Sequence, residues 1–207
     1  LFILIGITCL VFFMHYSTNN PTDIINGECN QLRDAVKQAD HPYHMFSIAT
    51  SFDNQPELRT VVLRAYDDTN YQLSFHTDKR SPKYNEIINN PLTTSLFYDT
   101  KRRIQLRIKG NAYPSNNNNV LKGLWENLSK ESKACYQGII PPSGNLPSDE
   151  IVNTISENNK MLDGFENFSR IDIQINEIDV LMLHHLGHKR ICFTFKNNSF
   201  SSAWKAS

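Results

Sequence analysis

The sequence has no excess of charge of either sign, because 21 Lys and Arg residues balance 21 Asp and Glu residues. A chain without net positive charge carries no general field for a polyanion, so nucleic-acid binding is not expected. Its four cysteines are too few for a disulfide scaffold, and none form a Cys-x-x-Cys pair. Glycine-rich nucleotide loops of the Gly-x-Gly-x-x-Gly or Walker type are missing as well.

The residues that are present fit a folded domain. Hydrophobic residues make up 40% and aromatic residues 11% of the chain, too many for a disordered protein. A length of 207 residues allows one medium domain or two small ones. We predict a single domain over 28–207, preceded by an apolar segment and a polar, turn-rich linker over 1–27, with the linker starting at Asn19.

The start of the chain, Leu1 to Met14, is apolar and uncharged. It is too short to span a bilayer comfortably. A targeting remnant, a truncated membrane anchor, a buried strand and spurious upstream translation all fit it, and the sequence leaves these alternatives open.

Hydrophobic spacing predicts the order of the structural elements. A spacing of three and four predicts a helix over Glu28 to Asp40, and alternation then predicts strands. The predicted strands cover 45–52, 59–66, 71–77, 94–99, 104–109 with an end at Gly110, 171–175 and 191–195. Further helices are predicted over 81–89, 121–128 and 149–162, with a loop of asparagines at 116–119.

Six or seven short strands with mostly short turns favour a mainly β or α+β class. The expected architecture is an antiparallel barrel or sandwich with helices packed outside it. A doubly wound parallel sheet is disfavoured.

A cluster of polar residues surrounds the start of the predicted helix at 81–89. Ser81 occupies the N-cap position, and Arg80 and Lys83 flank it. A helix start offers free N–H groups and partial positive charge, so two added cations and a hydroxyl suit a phosphate group. The alternative is a surface helix with solvated basic residues.

Two predicted strands carry further hydrogen-bond donors. Arg59 and Arg64 bracket one strand, and donors alternate along the strand at 104–109. If both strands face one cleft, the donors converge on an anion or a polar heterocycle. Alternation alone also produces an ordinary exposed sheet face. The donors of the second strand are Arg103, Gln105, Arg107 and Lys109.

The order of several short motifs is informative. They are Arg-Thr-Val-Val-Leu-Arg at 59–64, Phe-His-Thr-Asp-Lys-Arg-Ser-Pro-Lys at 75–83, Asn-Asn-Pro at 89–91, Phe-Tyr-Asp at 97–99 and Arg-x-Ile-Gln-Leu-Arg-Ile-x-Gly at 102–110, then Trp125 and Ser132. This run resembles the pyridoxamine 5'-phosphate oxidase-like family of FMN-binding split barrels. The Arg-Ser-Pro-Lys motif is closer to the broad oxidase-related branch than to the pyridoxamine phosphate oxidase itself, and the resemblance covers roughly 31–195.

The resemblance implies a six-stranded antiparallel Greek-key split β-barrel with flanking helices. It also implies a homodimer that holds FMN between its subunits, and a cytoplasmic location by default, with an organelle or secretory route left open by the apolar start. Ser81 and Lys83 match the phosphate clamp, Gln105 reaches the isoalloxazine and Arg190 contacts the cofactor. The complete set of matched cofactor positions is Arg59, Val61, Val62, Leu63, Arg64, His76, Thr77, Arg80, Ser81, Lys83, Gln105 and Arg190.

The substrate half of the resemblance is incomplete. Arg64, Ser132 and His188 match substrate-side positions. Leu124 and Leu128 stand where the oxidases bind the substrate phosphate with Tyr and Arg. The expected function is therefore that of an FMN-dependent oxidoreductase with an unidentified small-molecule substrate.

Two alternatives remain open. One is a pyridoxamine/pyridoxine 5'-phosphate oxidase of vitamin B6 metabolism, and the other is a non-enzymatic flavin- or haem-binding split barrel. No residue stands out as an obligate acid or base, and no metal site is predicted. His184, His185 and His188 are interpreted as surface residues or contacts at the flavin edge.

Overall fold

The computed structural model describes residues 19–145, 163–196 and 199–207. The apolar segment Leu1 to Met14 and the helix predicted over 149–162 lie outside these residues. Within them, no helix is both long and apolar enough to cross a membrane.

The described residues form four α-helices, one short 3-10 helix at Phe165–Asn167 and nine strands. The helices are α1 (Pro21–Lys37), α2 (Pro82–Asn89), α3 (Asn118–Glu126) and α4 (Lys130–Gln137). The strands are β1 (Met45–Phe52), β2 (Gln55–Val62), β3 (Ala65–Asp67), β4 (Gln72–Asp78), β5 (Leu92–Asp99), β6 (Ile104–Pro114), β7 (Phe168–Met182), β8 (Lys189–Lys196) and β9 (Ser199–Lys205).

All strand pairs are antiparallel, in the order β2-β1-β5-β6-β7-β4-β3, with β8 on β7 and β9 on β8. Strand β7 is 15 residues long and pairs with different strands along its two halves. Its first half pairs with β4 and its second half with β8, while β6 runs along both. The predicted antiparallel class with flanking helices is confirmed, with nine described strands in place of six.

The strand predicted over 59–66 is divided into β2 and β3. The break falls at Leu63 and Arg64, whose backbone N–H groups donate to His44 O and Ser74 O, each at 2.8 Å. These two bonds connect the β1–β2 pair with the β3–β4 pair. The division therefore allows the sheet to curl toward closure.

Strand β6 continues past Gly110 to Pro114, so the predicted end at Gly110 is wrong. A register shift between Lys109 and Gly110 marks a bulge. A Cβ at Gly110 would lie 2.3 Å from the backbone oxygen of Gln174 on β7. Glycine at this position therefore lets the two strands approach closely where the barrel bends.

Helix α1 begins at Pro21, so the linker predicted up to Gly27 is wrong over residues 21–27. Asn20 caps the helix, and its side chain accepts from the Thr22 N–H at 2.9 Å. Buried Ile24 and Ile25 extend the apolar stripe of the helix to this end.

Two corrections concern the segment before β7. The predicted asparagine loop is partly helical, because the Asn117 side chain accepts from the N–H groups of Asn119 and Val120 and begins α3 at Asn118. The short helix α4 was not predicted, since it buries no residue and has no clear apolar stripe.

A buried ionic network attaches α1 to the barrel. The Tyr43 hydroxyl donates to Glu28 Oε2 at 2.8 Å, and Arg102 Nη1 donates to Glu28 Oε1 at 2.8 Å. Arg102 Nε also donates to Asp99 Oδ2 at 2.5 Å. One guanidinium thus joins the carboxylate of α1 to the carboxylate at the end of β5.

Candidate functional site

The turn between β4 and α2 places the Ser81 and Thr77 hydroxyls inside the protein. Ser81 is fully buried, and its Oγ donates to Asp78 O at 2.7 Å and lies 3.1 Å from Thr77 Oγ1. The Ser81 side chain closes the turn and places no cap on α2. The start of α2 is therefore left without a side-chain acceptor.

Lys83 stands in the first turn of α2 as a half-buried cation. Burial and the nearby positive charge of Arg59 lower the pKa of its ammonium group. Among the described residues, no carboxylate lies within ion-pair distance of Lys83 Nζ. A partly desolvated cation of this kind suits an anionic ligand.

Arg59 lies beside Lys83 and is held in place by α2 and β1. Its Nη2 is 2.8 Å from Glu86 Oε2, and its Nη1 donates to Thr50 Oγ1. The Thr50 hydroxyl donates to the same Glu86 oxygen at 2.5 Å. Glu86 is therefore the buried carboxylate of Arg59, which also lies 3.9 Å from Oε2 of the exposed Glu57. Lys83 makes no ion pair within the described residues, so it is the cation that still needs an anionic partner. We call Arg59, Lys83 and the start of α2 the phosphate-binding cluster.

Arg80 does not belong to this phosphate-binding cluster in the structure. Its Nε and Nη2 grip Asp78, with an Nη2–Oδ2 distance of 2.7 Å. Its Nη1 donates to Gly138 O at 2.6 Å, just past α4. All three guanidinium nitrogens therefore make hydrogen bonds that hold α4 against the β4–α2 turn.

His76 and Tyr136 both pack against the ring of Phe168, and the charge of Arg64 acts on both of them. Arg64 is exposed, while His76 packs edge-on against Phe168 with ring centroids 4.9 Å apart. Burial, then the charges of Arg64 and Arg170, lowers the pKa of His76 to about 4. His76 is therefore neutral near pH 7 and can accept a hydrogen bond there.

The low pKa of His76 predicts an acid-sensitive fold. The unfolded chain binds a proton below its ordinary pKa of 6.5, whereas the folded state resists protonation until about pH 4. The folded state therefore loses stability as the pH falls through this window, by about 2 kcal/mol at pH 5. Urea titration of the FMN-free protein at pH 7 and pH 5 measures this effect. Between these two pH values, we expect the free energy of unfolding of the unmodified protein to fall by about 2 kcal/mol more than that of His76→Phe.

The exposed His185 on the β7–β8 loop provides the control for this measurement. His185→Gln should show the same loss as the unmodified protein. An equal loss in His76→Phe and the unmodified protein would show that another group carries the acid sensitivity.

The other residues of the segment 59–64 alternate across the sheet. Val61 packs against the core, Leu63 is fully buried, and Val62 is half-buried opposite Met45. Arg59 and Arg64 stand at the two ends of this segment.

A cleft of about 460 Å³ lies on the outward face of β6 to β9. Its charged lining residues are Arg107, Lys109, Glu177, Asp179, Arg190 and Lys205. Gln105 and Arg190 share this face, because both lie directly opposite Leu181 of β7. The cleft face is our name for this surface.

Arg190 is held on the cleft face by Asp179. Arg190 Nε lies 3.0 Å from Asp179 Oδ1 and its Nη2 lies 2.7 Å from Oδ2. Arg107 donates to Oδ2 as well. Of the donors predicted along β6, Arg107 and Lys109 therefore line a cleft, but with Arg190 and not with Arg59.

The predicted substrate-side residues are dispersed. Ser132 lies in the first turn of α4, where its N–H donates to Ser129 Oγ at 3.2 Å. His188 lies on the exposed loop between β7 and β8 and accepts from the His184 N–H at 3.1 Å. No described contact joins either residue to Arg64. The described part of the chain holds no cluster of ligands suited to a metal ion.

Leu124 and Leu128 pack against an aromatic cluster between α3 and the start of β7. The buried members of the cluster include Trp125 and Phe168. This face of α3 is apolar and offers no charge to a phosphate.

Sequence reasoning missed the acidic partners of both sites. Glu86 fixes Arg59, and Asp179 fixes Arg190. Alternation along β7 places Asp179 on the same face as Leu181, which is a signal for its position, but the identity of its partners depends on strand register.

Comparisons with known proteins can be set against this geometry. Residues 29–115 match the family model of the pyridoxamine 5'-phosphate oxidase FMN-binding domain. A pyridoxine/pyridoxamine 5'-phosphate oxidase of Psychrobacter cryohalolentis is 32% identical over 91 residues, which cover 44% of this chain and 40% of that relative. The matched stretch is thus less than half of the relative's length.

Two solved structures share the fold. A pyridoxamine 5'-phosphate oxidase-related, FMN-binding protein from Nostoc punctiforme has a TM-score of 0.69 at 19% identity, covering 92% of this chain and 100% of its own. PhzG from Burkholderia lata, solved with tetrahydrophenazine-1-carboxylic acid, has a TM-score of 0.66 at 17% identity, covering 94% and 97%.

These matches confirm the resemblance to the pyridoxamine 5'-phosphate oxidase-like family. Residues 29–115 match the FMN-binding domain of this family, and FMN is the cofactor. The residues present fit that cofactor, because the phosphate-binding cluster places Arg59 beside a half-buried Lys83 that makes no ion pair within the described residues, at a helix start without a side-chain cap. A dianionic phosphate supplies an anionic partner for Lys83 and can also accept hydrogen bonds from Arg59 and the start of α2.

Proposed function

We propose that this chain is an FMN-dependent oxidoreductase that acts on a small molecule, and that it works as a homodimer with FMN at the subunit interface. The observation that carries the proposal is the phosphate-binding cluster, in which Lys83 lies beside Arg59 and has no carboxylate partner in the part of the chain that the structure describes. The cytoplasm is its proposed location on family resemblance, which imaging of a fluorescently tagged full chain can check.

The predicted cofactor-binding residues lie in two separate places on one chain, and this separation supports the dimer. Gln105 and Arg190 lie on the cleft face, and no described contact joins them to Arg59 or Lys83. Large exposed apolar side chains on β1, β2 and β5 continue the same face, because strand partners point to one side of a sheet. They are Met45, Leu58, Leu96 and Tyr98. A second copy packed on this face would cover them and bring its Arg190 to the flavin of the first.

FMN, when bound, accepts a hydride or two electrons from an organic substrate and passes them to oxygen or another acceptor. The chain contributes binding, orientation and charge. Arg59 and Lys83 would hold the phosphate, and the strand from Val61 to Leu63 would line the cofactor. Neutral His76 and the cation of Arg64 are available to the substrate, the first as a hydrogen-bond acceptor and the second for an anionic or electron-rich group.

The substrate is proposed to lack a phosphate ester. Leu124 and Leu128 face the aromatic cluster and supply no donor, and Arg80 is committed to Asp78 and Gly138. Ser132 and its neighbour Ser129 supply hydroxyl groups on that side. The relative from Psychrobacter cryohalolentis keeps vitamin B6 phosphate oxidation as a competing function to be tested directly.

The test uses FMN-loaded protein mixed anaerobically with primary amines, pyridoxine, pyridoxamine and their 5'-phosphates. Loss of the visible flavin band reports reduction. We expect reduction by at least one unphosphorylated amine, no preference for the 5'-phosphates, and a dimer by light scattering. Preferential reduction by the 5'-phosphates would support the vitamin B6 activity instead. FMN binding with no reduction by any compound would point to a non-enzymatic flavin protein.

A further inference from the structure

Asp179 is a buried carboxylate shared by guanidinium groups from the two neighbouring strands. It lies directly opposite Arg107 of β6 and diagonally from Arg190 of β8. Its exposed fraction is 5%, and both of its oxygens accept from Arg190. Burial would by itself raise the pKa of Asp179, but hydrogen bonds from Arg190 and Arg107 lower it, so the group is charged near neutral pH.

The geometry decides which edge of Arg190 remains available. Asp179 takes the edge formed by Nε and Nη2, in the side-by-side arrangement that a guanidinium makes with a carboxylate. Nη1 of Arg190 makes no hydrogen bond within the described residues and is left for a ligand. The carboxylate therefore fixes the orientation of the guanidinium and offsets part of its charge.

The charges around this pair come from three strands. Lys109 of β6 is 2.9 Å from Glu177 of β7, which leaves that ion pair nearly neutral. Lys205 of β9 has no carboxylate within ion-pair distance in the described residues. The positive charge that Asp179 restrains is thus that of Arg190 and Arg107, and no other carboxylate lies within ion-pair distance of those two in the described residues.

We infer that Asp179 is a positioning residue that aims the Nη1 edge of Arg190 at the flavin and lowers the reduction potential of FMN by offsetting the charge of that guanidinium. This inference rests on the proposed function, in which Arg190 reaches FMN across the dimer. Positive charge near the ring system favours reduced flavin, which carries more negative charge than oxidised flavin. An offset Arg190 favours it less than a free one.

The test compares reduction potentials of FMN-loaded protein and FMN-loaded Asp179→Asn. Asparagine keeps the shape and one hydrogen-bond acceptor but removes the charge. We expect a more positive potential in Asp179→Asn, with the ratio of reduced to oxidised FMN at a fixed solution potential about tenfold higher, or about 30 mV for two electrons. A purely structural Asp179 would alter thermal stability and leave the potential unchanged.

Glu177→Gln is the matched control, because it removes the same charge from the same cleft but leaves the Asp179–Arg190 pair intact. We expect its ratio to change by no more than about twofold, since this partly exposed pair is screened by solvent. A double variant, Arg107→Met with Asp179→Asn, removes one charge of each sign and leaves fewer buried charges unpaired. It serves if Asp179→Asn fails to fold, and it should retain part of the positive shift.

The outcomes separate the two proposals. Unmodified protein that retains no FMN would contradict the proposed function itself. Unmodified and variant proteins that retain FMN with the same potential would overturn the role of Asp179 and leave the proposed function standing. Equal shifts in Asp179→Asn and Glu177→Gln would also overturn the role of Asp179. The total charge of the cleft, and not the hydrogen-bonded pair of Asp179 and Arg190, would then set the potential.

Discussion

Lys83→Met is expected to raise the dissociation constant of FMN about thirtyfold. A hydrogen bond from a charged group contributes about 2 kcal/mol, and each 1.4 kcal/mol corresponds to about tenfold in affinity. Lys83 has no carboxylate partner within the described residues, so its loss leaves no buried charge unpaired in the FMN-free protein. The substitution should therefore weaken FMN binding and leave the free energy of unfolding nearly unchanged or slightly higher.

Flavin fluorescence titration measures this change, and Lys79→Met is its matched control. Lys79 lies in the turn before α2, and its backbone N–H donates to Asn167 O at 2.7 Å, a contact that substitution retains. We expect the FMN affinity of Lys79→Met to equal that of the unmodified protein. An equal loss of FMN affinity in both variants, or no loss in Lys83→Met, would contradict the assignment of the phosphate-binding cluster.

Arg102→Met is expected to lower the free energy of unfolding by 3–5 kcal/mol, the usual cost, to within about twofold, of removing one partner of a buried ion pair. The substitution leaves the carboxylates of Glu28 and Asp99 buried without their shared cation. It also removes the guanidinium that packs over the Tyr43 ring at 5.1 Å. Helix α1 should then detach from the barrel at a lower urea concentration than in the unmodified protein.

Urea unfolding of the FMN-free protein tests this expectation, with Arg33→Met as the control. Arg33 on α1 pairs with Asp68 at 3.0 Å, but both side chains are about half exposed, at 48% and 46%. A pair of this kind contributes at most about 1 kcal/mol. Similar losses in the two arginine variants would show that the buried network does not anchor α1.

The sequence predicted the strands whose two faces differ in polarity. Ile104, Leu106 and Ile108 alternate with polar residues on β6 and are buried as expected. Strand β9 was missed because nearly all of its side chains are exposed, so it carries no alternation to read. The break after Val62 was missed because it depends on hydrogen bonds to His44 and Ser74 on other strands.

The cations of the site were easier to predict than the groups that hold them. Lys83 follows Ser-Pro at a helix start, a local pattern that a sequence displays directly. Arg59 was predicted, but its partners Thr50 and Glu86 lie on β1 and α2 and meet it only in the folded chain. The same holds for Asp179 and Arg190, which register brings together across two strands.

The most direct test of the central claim is the visible absorption spectrum of the purified protein after incubation with excess FMN and desalting. If Arg59 and Lys83 hold the cofactor phosphate, the flavin bands remain with about one FMN per chain, and Lys83→Met loses them under the same desalting. A colourless protein after desalting that also shows no FMN binding by titration would contradict the claim.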